Sequence, residues 1–576
     1  MKNGCLGYEI SDRKGNTSFK QMCNFVPYIS SQVLWDDGYE KNTNVVIAGF
    51  DMHGRPLPPV TVSNDEFDKM MWVRKNWGYE CNISPGQNIK DHIRFAVQST
   101  TAYAQKQFQF RTTGWKKIKD KWYFLMPGNT ETDVCLEGKM KNYRFSNREV
   151  SSDEMKDIFR LNEALAPCTT MQVLNAFSFL SPLNSFLRMA QHEPKTVLLL
   201  YGKTGSKKST VAALISSFFG QFSTTDLPLS FRDTANSLLH NTSVLKDVLT
   251  VIDDFHPSSK KDESSMNDTM QMLLRAYGNR SGRSRLNSKA EPTKVRYPKG
   301  NAIITAEFLP DAGESGTARY IPLELHENDV DNDSLTYYQK LASDGVLSSC
   351  MRKYTEWIRT KYLGDNEQIF VSFLADKFIE YRKNIFIILA EEGIKIRDRL
   401  TDDLVALYIG FTFMTEFFVD EKVIDKDTKY RFDKDFIKVL ITTATSKTEQ
   451  LINDQPAHKF ICKLYAMTES GRLTLIKKDS FLNGENMPFN MVGYEDENNL
   501  YLLKSVAHKE VKRFCEEQGE AFTITEKGLL KALEAENILT PSPDGKHTVQ
   551  HNFDGHQKRY LVIPKNKAEA IYNENE

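Results

Sequence analysis

A short apolar run that opens into a glycine-containing loop constrains the fold of this chain more than any other feature. Residues 196–201 form a compact apolar run of the kind found in buried strands. The loop 202–210 follows, and apolar residues then recur at helical spacing until Gly220, a typical residue for the end of a helix. Strand, loop and helix in this order predict an α/β fold whose parallel sheet is connected by crossover helices.

The composition of the loop predicts a phosphate site. Main-chain amides of such a loop and the positive end of the following helix face phosphate oxygens. In this pattern Lys208 reaches the β- and γ-phosphates and the Ser209 hydroxyl binds Mg²⁺, so we expect ATP and Mg²⁺ as cofactors. The predicted nucleotide-binding residues are Gly202, Lys203, Thr204, Gly205, Ser206, Lys207, Lys208, Ser209 and Thr210.

One position of the loop departs from the usual pattern. Lys207 stands where a glycine is expected, immediately before the phosphate-binding lysine. If the backbone is left-handed there, a lysine costs roughly 1–2 kcal/mol relative to glycine. An additional cation near the phosphates would offset this cost.

Two acidic residues follow a second apolar run about 45 residues further along. The run 248–252 ends in Asp253 and Asp254. We expect Asp253 to hold Mg²⁺ through water and Asp254 to polarise the attacking water. A third apolar run, 301–306, predicts the strand that lies between these two in ATPases of the AAA+ type. Its tip would read the γ-phosphate through Thr305 or Glu307, although a plain core strand is an equal alternative.

An arginine and a basic segment complete the predicted site. Arg319 precedes a further apolar run, where an arginine finger would reach into the site of a neighbouring subunit; a surface ion pair is the alternative. The segment 279–299 is rich in cations and is predicted to hold DNA phosphates without sequence preference, whereas a solvated charged loop is the alternative. The predicted DNA-binding residues are Arg280, Arg283, Arg285, Lys289, Lys294 and Arg296.

The pattern along the chain predicts several domains. The predicted units are an α+β N-terminal domain (1–128), a helical linker (129–193), the P-loop core (194–332), a helical region (333–468) and a winged-helix domain (469–576). Within them we expect a strand at 44–50, a helix from Ser63 toward Trp77 and a hairpin at 114–125. Packing against protein and transient DNA contact are equally open for the C-terminal wing.

Composition narrows the class of protein. The formal charge of −1 excludes a chain that coats nucleic acid through bulk charge, so any DNA contact must be local. None of the eight cysteines has the C-x-x-C spacing of a zinc ribbon, which favours a reduced, cytoplasmic protein. No apolar run approaches the roughly 18 residues that cross a bilayer, so we expect no membrane partner.

Five short motifs resemble those of the minichromosome-maintenance-like AAA+ helicases of staphylococcal cassette-chromosome elements and related phages and islands. The matching pieces are Gly114-Trp115, the loop 202–209, Asp253-Asp254, the run 274–283 and Ala318-Arg319-Tyr320. The resemblance spans most of the chain, and the run 274–283 is its most family-specific motif. It implies a homo-hexamer that uses ATP and Mg²⁺, unwinds DNA in the 3′-to-5′ direction and carries a C-terminal winged helix.

The sequence therefore predicts an ATP-dependent DNA helicase of a mobile genetic element. Its expected partners are single-stranded and forked DNA, further copies of itself and replication proteins encoded by the element. One alternative is an AAA+ loader or remodelling ATPase that hydrolyses ATP without strand separation. The other is a degenerate nucleotide-binding regulator, which would bind nucleotide without turnover.

Overall fold

The computed structural model describes residues 1–576 except 258–259, 283–294, 311, 365, 396, 479–487, 519–521, 523, 541, 543–545, 554–555 and 574–576. The first unit is built on a four-stranded sheet of order β5-β4-β3-β6 and a separate hairpin of β1 and β2. Its elements are β1 (Leu6–Ser11), β2 (Thr17–Cys23), β3 (Phe25–Asp36), β4 (Lys41–Asp51), β5 (Pro56–Val62), α1 (Asn64–Lys69), α2 (Trp72–Trp77), α3 (Ile89–Ser99) and β6 (Gln105–Phe110).

The three helices of this unit cover one face of the four-stranded sheet. Ile93 of α3 and Trp72 of α2 share a core with Phe25 and Ile47 of the strands. The predicted strand at 44–50 is confirmed inside β4, and the predicted capping box at Ser63 is present. The helix expected from there toward Trp77 is instead two helices, because Met70 is left-handed (φ 51°) and ends α1.

A hairpin and three helices connect this unit to the next sheet. They are β7 (Gly114–Ile118), β8 (Lys121–Leu125), α4 (Ser152–Ala164), α5 (Cys168–Leu180) and α6 (Asn184–Met189). The antiparallel pairing of β7 with β8 confirms the predicted hairpin. Ser151 and Glu154 form a capping box that satisfies free amides at the start of α4. Helix α5 is buried along almost its whole length.

The central sheet has five parallel strands in the order β10-β11-β12-β9-β13. Leu198 and Leu200 of β9 point into one core and Val197 and Leu199 into another, so both faces of the sheet are covered. The elements are β9 (Val197–Tyr201), α7 (Lys208–Ser216), β10 (Leu229–Ser230), α8 (Ala235–Val244), β11 (Leu249–Phe255), α9 (Lys260–Asn279), β12 (Asn301–Ala306), α10 (Gly313–Thr317) and β13 (Tyr320–Glu324). The predicted parallel sheet with crossover helices is confirmed.

A large helical region follows the sheet. It consists of α11 (Asn332–Ser343), α12 (Val346–Tyr362), α13 (Glu367–Glu391), α14 (Asp398–Asp420), α15 (Lys426–Asn453) and α16 (Pro456–Glu469). Helix α14 packs along α5, and Phe179, Tyr354 and Phe417 meet at their ring edges. The helices before and after the sheet therefore share one hydrophobic core.

The last part of the chain forms a second α/β unit around a five-stranded sheet of order β14-β15-β16-β18-β17. Phe460 and Leu464 of α16 belong to its core, which separates that helix from the preceding ones. The elements are β14 (Thr474–Lys477), β15 (Met491–Glu495), β16 (Asn499–Leu502), α17 (Lys504–Glu517), α18 (Glu526–Ala535), β17 (Val549–Phe553), β18 (His556–Pro564) and α19 (Lys565–Asn573). Within the described residues, no helix has the length and apolar character needed to span a bilayer.

Candidate nucleotide site

The loop between β9 and α7 has a backbone that requires glycine at its first position. A side chain at Gly202 would collide with the carbonyl oxygen of Leu325 and lie 2.9 Å from the Ser206 hydroxyl. Gly205 has a φ of 96°, which L-residues rarely adopt. Lys207, at the start of α7, has a left-handed backbone (φ 62°, ψ 19°), the conformation for which this position usually carries glycine. The loop thus wraps closely around the space at the N-terminus of α7.

Two hydroxyl groups converge on Asp253. The Ser209 hydroxyl donates to Asp253 Oδ1 at 2.8 Å, and the Thr305 hydroxyl donates to the same oxygen at 2.5 Å. Strand β12 lies between β11 and β9, which brings Thr305 beside both. The predicted position of this strand is therefore confirmed. The arrangement places Thr305 on the carboxylate predicted to hold the metal.

Asp254 points away from this cluster. Its backbone N–H donates to the Thr305 hydroxyl at 3.1 Å, and its φ of 69° turns the chain at the end of β11. The carboxylate is 40% exposed and lies 3.3 Å from a guanidinium nitrogen of Arg232. That pair is solvent-exposed and adds little to stability. Arg232 follows β10 in the chain, and no spacing in the sequence marks it as part of the site.

A third acidic residue, Glu307, connects the loop to the carboxyl end of the sheet, directly after β12. Glu307 accepts a hydrogen bond from the Thr204 hydroxyl, and its other carboxylate oxygen lies 2.6 Å from His256 Nδ1. The histidine was not predicted, although its place directly after the acidic end of β11 is a signal that the sequence carries. Glu307 is thus held at the mouth of the site by residues from two neighbouring segments.

These residues line an open cavity of about 320 Å³. Lys208 Nζ lies at its edge and donates to the carbonyl oxygen of Lys203 at 3.4 Å. The Ser206 hydroxyl is buried and has no hydrogen-bond partner among the described residues. The lining residues are Thr204, Gly205, Lys207, Lys208, Ser209, Thr210, Asp254, Phe255, His256, Thr305, Ala306 and Glu307.

The donor set fits a phosphate chain with Mg²⁺. An ammonium group, the amides at the N-terminus of α7 and the glycine-shaped turn suit an anion. The Ser209 hydroxyl and the Asp253 carboxylate are hard oxygen ligands, which Mg²⁺ prefers. No cluster of three acidic, histidine or cysteine ligands occurs within the described residues. Such a cluster is not needed, because Mg²⁺ in nucleotide sites takes most of its ligands from water and phosphate.

Arg319 lies at the opposite end of the central sheet. It directly precedes β13, whose first residue pairs with Val197 at the beginning of β9, whereas the loop 202–210, proposed to bind phosphate and called the phosphate loop below, follows the end of β9. Its guanidinium donates to Ser315 and Asn279. Burial, followed by the charges of Arg399 and Arg275, lowers the pKa of Arg319. Arg319 therefore cannot reach the phosphate loop of its own chain.

The predicted DNA-binding residues separate into two groups. Arg280 is buried: it donates to the carbonyl oxygens of Pro194, Pro298 and Gly300 at 2.8–3.2 Å and lies 3.4 Å from Glu193. This placement differs from the predicted DNA contact, because the guanidinium is already surrounded by protein acceptors. Arg296 lies within the described residues and pairs with Asp37 of the first unit at 2.8 Å, so its placement also differs from the predicted DNA contact. Arg283, Arg285, Lys289 and Lys294 lie outside the described residues.

Comparison with known proteins gives a likeness of fold. No protein-family model and no curated protein matches the chain. A solved structure titled "SCCmec type IV Cch - active helicase" matches with a TM-score of 0.56 and 12% identity, over 98% of this chain and 97% of that chain. A JCV helicase with a bound thiazolopyridine compound aligns over 42% of this chain and 65% of that one, at 15% identity and a TM-score of 0.20, which is too low for an argument. The chain therefore has a helicase-like fold, with a parallel five-stranded sheet and a large helical region.

Proposed function

We propose that the chain is an ATP-dependent DNA helicase of a mobile genetic element, built around a P-loop core of the AAA+ type. The observation that carries the proposal is the convergence of Ser209 and Thr305 on Asp253, beside the loop that presents Lys208. A basic surface loop that binds no nucleotide does not require a carboxylate held by two hydroxyl groups beside its lysine. The full-length fold likeness to a helicase supports the same reading.

Each residue of the site has a distinct role in this proposal. Lys208 and the amides of the loop bind the β- and γ-phosphates. Ser209 and Asp253 hold Mg²⁺, which neutralises charge on the phosphates when it is bound. Asp254, which lines the cavity, orients the attacking water and accepts its proton. Thr305 keeps Asp253 oriented.

We infer that the working form is a homo-hexameric ring. Arg319 is remote from the phosphate loop of its own chain, and it acts only if a neighbouring copy presents its nucleotide to this face. The ring translocates on single-stranded DNA in the 3′-to-5′ direction and opens forked DNA during replication of the element. Arg283, Arg285, Lys289 and Lys294 hold the DNA phosphates, and the region 469–576 acts as a winged-helix domain.

The test compares the native chain with Lys208→Ala. ATP hydrolysis is measured with and without single-stranded DNA, and unwinding is measured on a forked duplex. We expect DNA-stimulated hydrolysis and unwinding in the native chain, and a loss of both by at least about 100-fold in the variant, because the triphosphate loses its main cation. Lys383→Ala, which removes an exposed lysine from α13, is the matched control and should behave as the native chain does.

Other outcomes select the alternatives. Equal unwinding by the native chain and Lys208→Ala removes the assigned site. Hydrolysis without unwinding on any DNA favours the loader or remodelling ATPase. Nucleotide binding without hydrolysis favours the regulator.

A further inference from the structure

Lys207 occupies a backbone position that glycine would fill without strain. Its φ of 62° and ψ of 19° are left-handed, a conformation that costs a lysine roughly 1–2 kcal/mol relative to glycine. Strained positions of this kind cluster at functional sites, where the side chain contributes something that glycine lacks. In Lys207 the group that glycine lacks is a side chain that carries an ammonium group.

The ammonium group of Lys207 lies between the nucleotide cavity and the helical region. The residue lines the cavity together with Lys208 and Ser209. Its Nζ donates to the amide oxygen of Asn332, the first residue of α11. One side chain thus joins the phosphate loop to the beginning of the helix that follows the central sheet.

The segment leading into α11 runs along the loop. The carbonyl oxygen of Leu325 lies against Gly202, and Glu327 lies 3.8 Å from where a side chain at Gly205 would begin. Asp331 caps α11 by accepting from the Ser334 N–H at 2.7 Å. These hydrogen bonds, and to a smaller extent the charge of Lys207, lower the pKa of Asp331. Helix α11 packs in turn on α7 and α12, so its first turn links the loop to the helical region.

Asn332 is a weaker partner for an ammonium group than a phosphate. The amide oxygen is neutral and exposed, whereas a phosphate oxygen carries negative charge and adds Coulombic attraction to the hydrogen bond with the ammonium group. A triphosphate placed in the cavity therefore competes for Lys207. When the ammonium turns to the phosphates, Asn332 and the first turn of α11 lose their tie to the loop.

We propose that Lys207 is a second phosphate-binding lysine, for which Asn332 and a bound triphosphate compete, so that triphosphate binding releases α11. This inference rests on the proposed nucleotide site. In this proposal Lys207 adds affinity for the phosphates, and its hydrogen bond to Asn332 is broken when the triphosphate binds.

The test measures binding alone, by calorimetric titration of a non-hydrolysable ATP analogue and of AMP, without DNA. Lys207→Met should bind the analogue about tenfold more weakly and AMP unchanged, because AMP lacks the phosphates that the ammonium would contact. Asn332→Asp, which holds the ammonium more tightly, should weaken analogue binding several-fold. Asn332→Ala should tighten it about threefold. Both Asn332 effects should vanish when combined with Lys207→Met.

Two control variants separate the proposed contact from a general effect of charge and from backbone strain. Thr336→Asp places the same charge one turn further along α11 and should leave affinity unchanged. Lys207→Gly should raise the unfolding temperature by removing the left-handed strain while still weakening analogue binding.

The proposal is overturned if Lys207→Met binds the analogue as tightly as the native chain, or if Asn332→Asp weakens binding equally without Lys207. Loss of binding in Lys208→Ala alongside full binding in Lys207→Met would remove this inference and leave the proposed function standing. Tenfold weaker binding in Lys207→Met in a chain that unwinds no DNA would keep the inference and remove the helicase. A native chain that binds no analogue would overturn both.

Discussion

Thr305 gives the two consecutive acidic residues of β11 different surroundings. Its hydroxyl donates to the Asp253 carboxylate and accepts from the Asp254 N–H, so one side chain orients the first carboxylate and anchors the backbone of the second. Asp253 is thereby turned inward to Ser209, whereas Asp254 lines the cavity and pairs with Arg232. At the scale of single residues, this difference supports the proposed roles, in which Asp253 binds the metal and Asp254 activates water.

Thr305→Val should therefore slow ATP hydrolysis more than it weakens nucleotide binding. The valine keeps the volume of the side chain, but it leaves the Asp254 N–H without its partner and Asp253 less well oriented, at a cost of about 1–3 kcal/mol. We expect kcat to fall about 10- to 100-fold and the Mg²⁺ concentration for half-maximal rate to rise. Thr305→Ser, which keeps the hydroxyl, should recover most of the activity. Hydrolysis at the native rate in Thr305→Val would show that this contact is dispensable.

The arginines of the connection from α9 to β12 are proposed to have two different roles. Arg280, the residue after α9, binds carbonyl groups at the entry to β9 and β12 and so fastens the helix to the sheet. Burial lowers the pKa of its guanidinium. The arginines further along the segment carry the proposed DNA contact. At the scale of elements, the first end of the basic segment holds α9 to the sheet, although arginines and lysines occur along the whole segment.

Substitutions at the two ends should give opposite results. Arg280→Met leaves Glu193 and several carbonyl groups buried without a partner, and we expect a loss of about 3–5 kcal/mol of stability, seen as a lower unfolding temperature. Arg283→Ala with Arg285→Ala should keep the native unfolding temperature. That double variant should bind single-stranded DNA more weakly, with a smaller dependence on salt.

Either result can fail in a recognisable way. A folded Arg280→Met chain with native stability and weakened DNA binding would return Arg280 to the DNA-contacting set. Unchanged DNA affinity in the double variant at both low and high salt would exclude the segment as a DNA-binding loop.

The central sheet separates the phosphate loop from Arg319 in the whole molecule. Strand β9 spans four residue steps between its ends, which is ~13 Å at about 3.3 Å per residue. The loop follows one end and Arg319 lies beside the other. The loop and Arg319, the two parts of the proposed hydrolytic site, thus lie at opposite ends of the sheet in one chain. Only a head-to-tail assembly of copies brings the loop of one copy to Arg319 of the next.

Mixing two inactive variants tests this arrangement. Lys208→Ala and Arg319→Ala should each hydrolyse ATP poorly alone, because one lacks the phosphate-binding lysine and the other the arginine presented to its neighbour. An equimolar mixture should recover about a quarter of the native activity, since random assembly pairs an intact loop with an intact arginine at that frequency. No recovery from two folded variants, or native activity in Arg319→Ala alone, would show that Arg319 does not act across an interface.

Sequence patterns predicted the elements whose structure is set by residues close together in the chain. The strand, loop and helix around Lys208, the acidic end of β11, the hairpin at β7 and β8 and the cap at Ser63 were all predicted correctly as elements. Apolar spacing, glycine and capping residues act over a few residues, so a local reading is sufficient for them. The break between α1 and α2 was missed because Met70 is an unusual residue for a left-handed turn.

The sequence by itself thus determined that a glycine-containing loop joins a strand to a helix and that another strand ends in two acidic residues, because covalent order sets both. Only the tertiary structure decided that Thr305 contacts Asp253, that Arg280 is buried and that Lys207 reaches Asn332. It alone also joined α5 to α14 in one core and set Arg319 apart from the loop. Each of these depends on strand order and packing between segments far apart in the chain, where no local pattern specifies the partner.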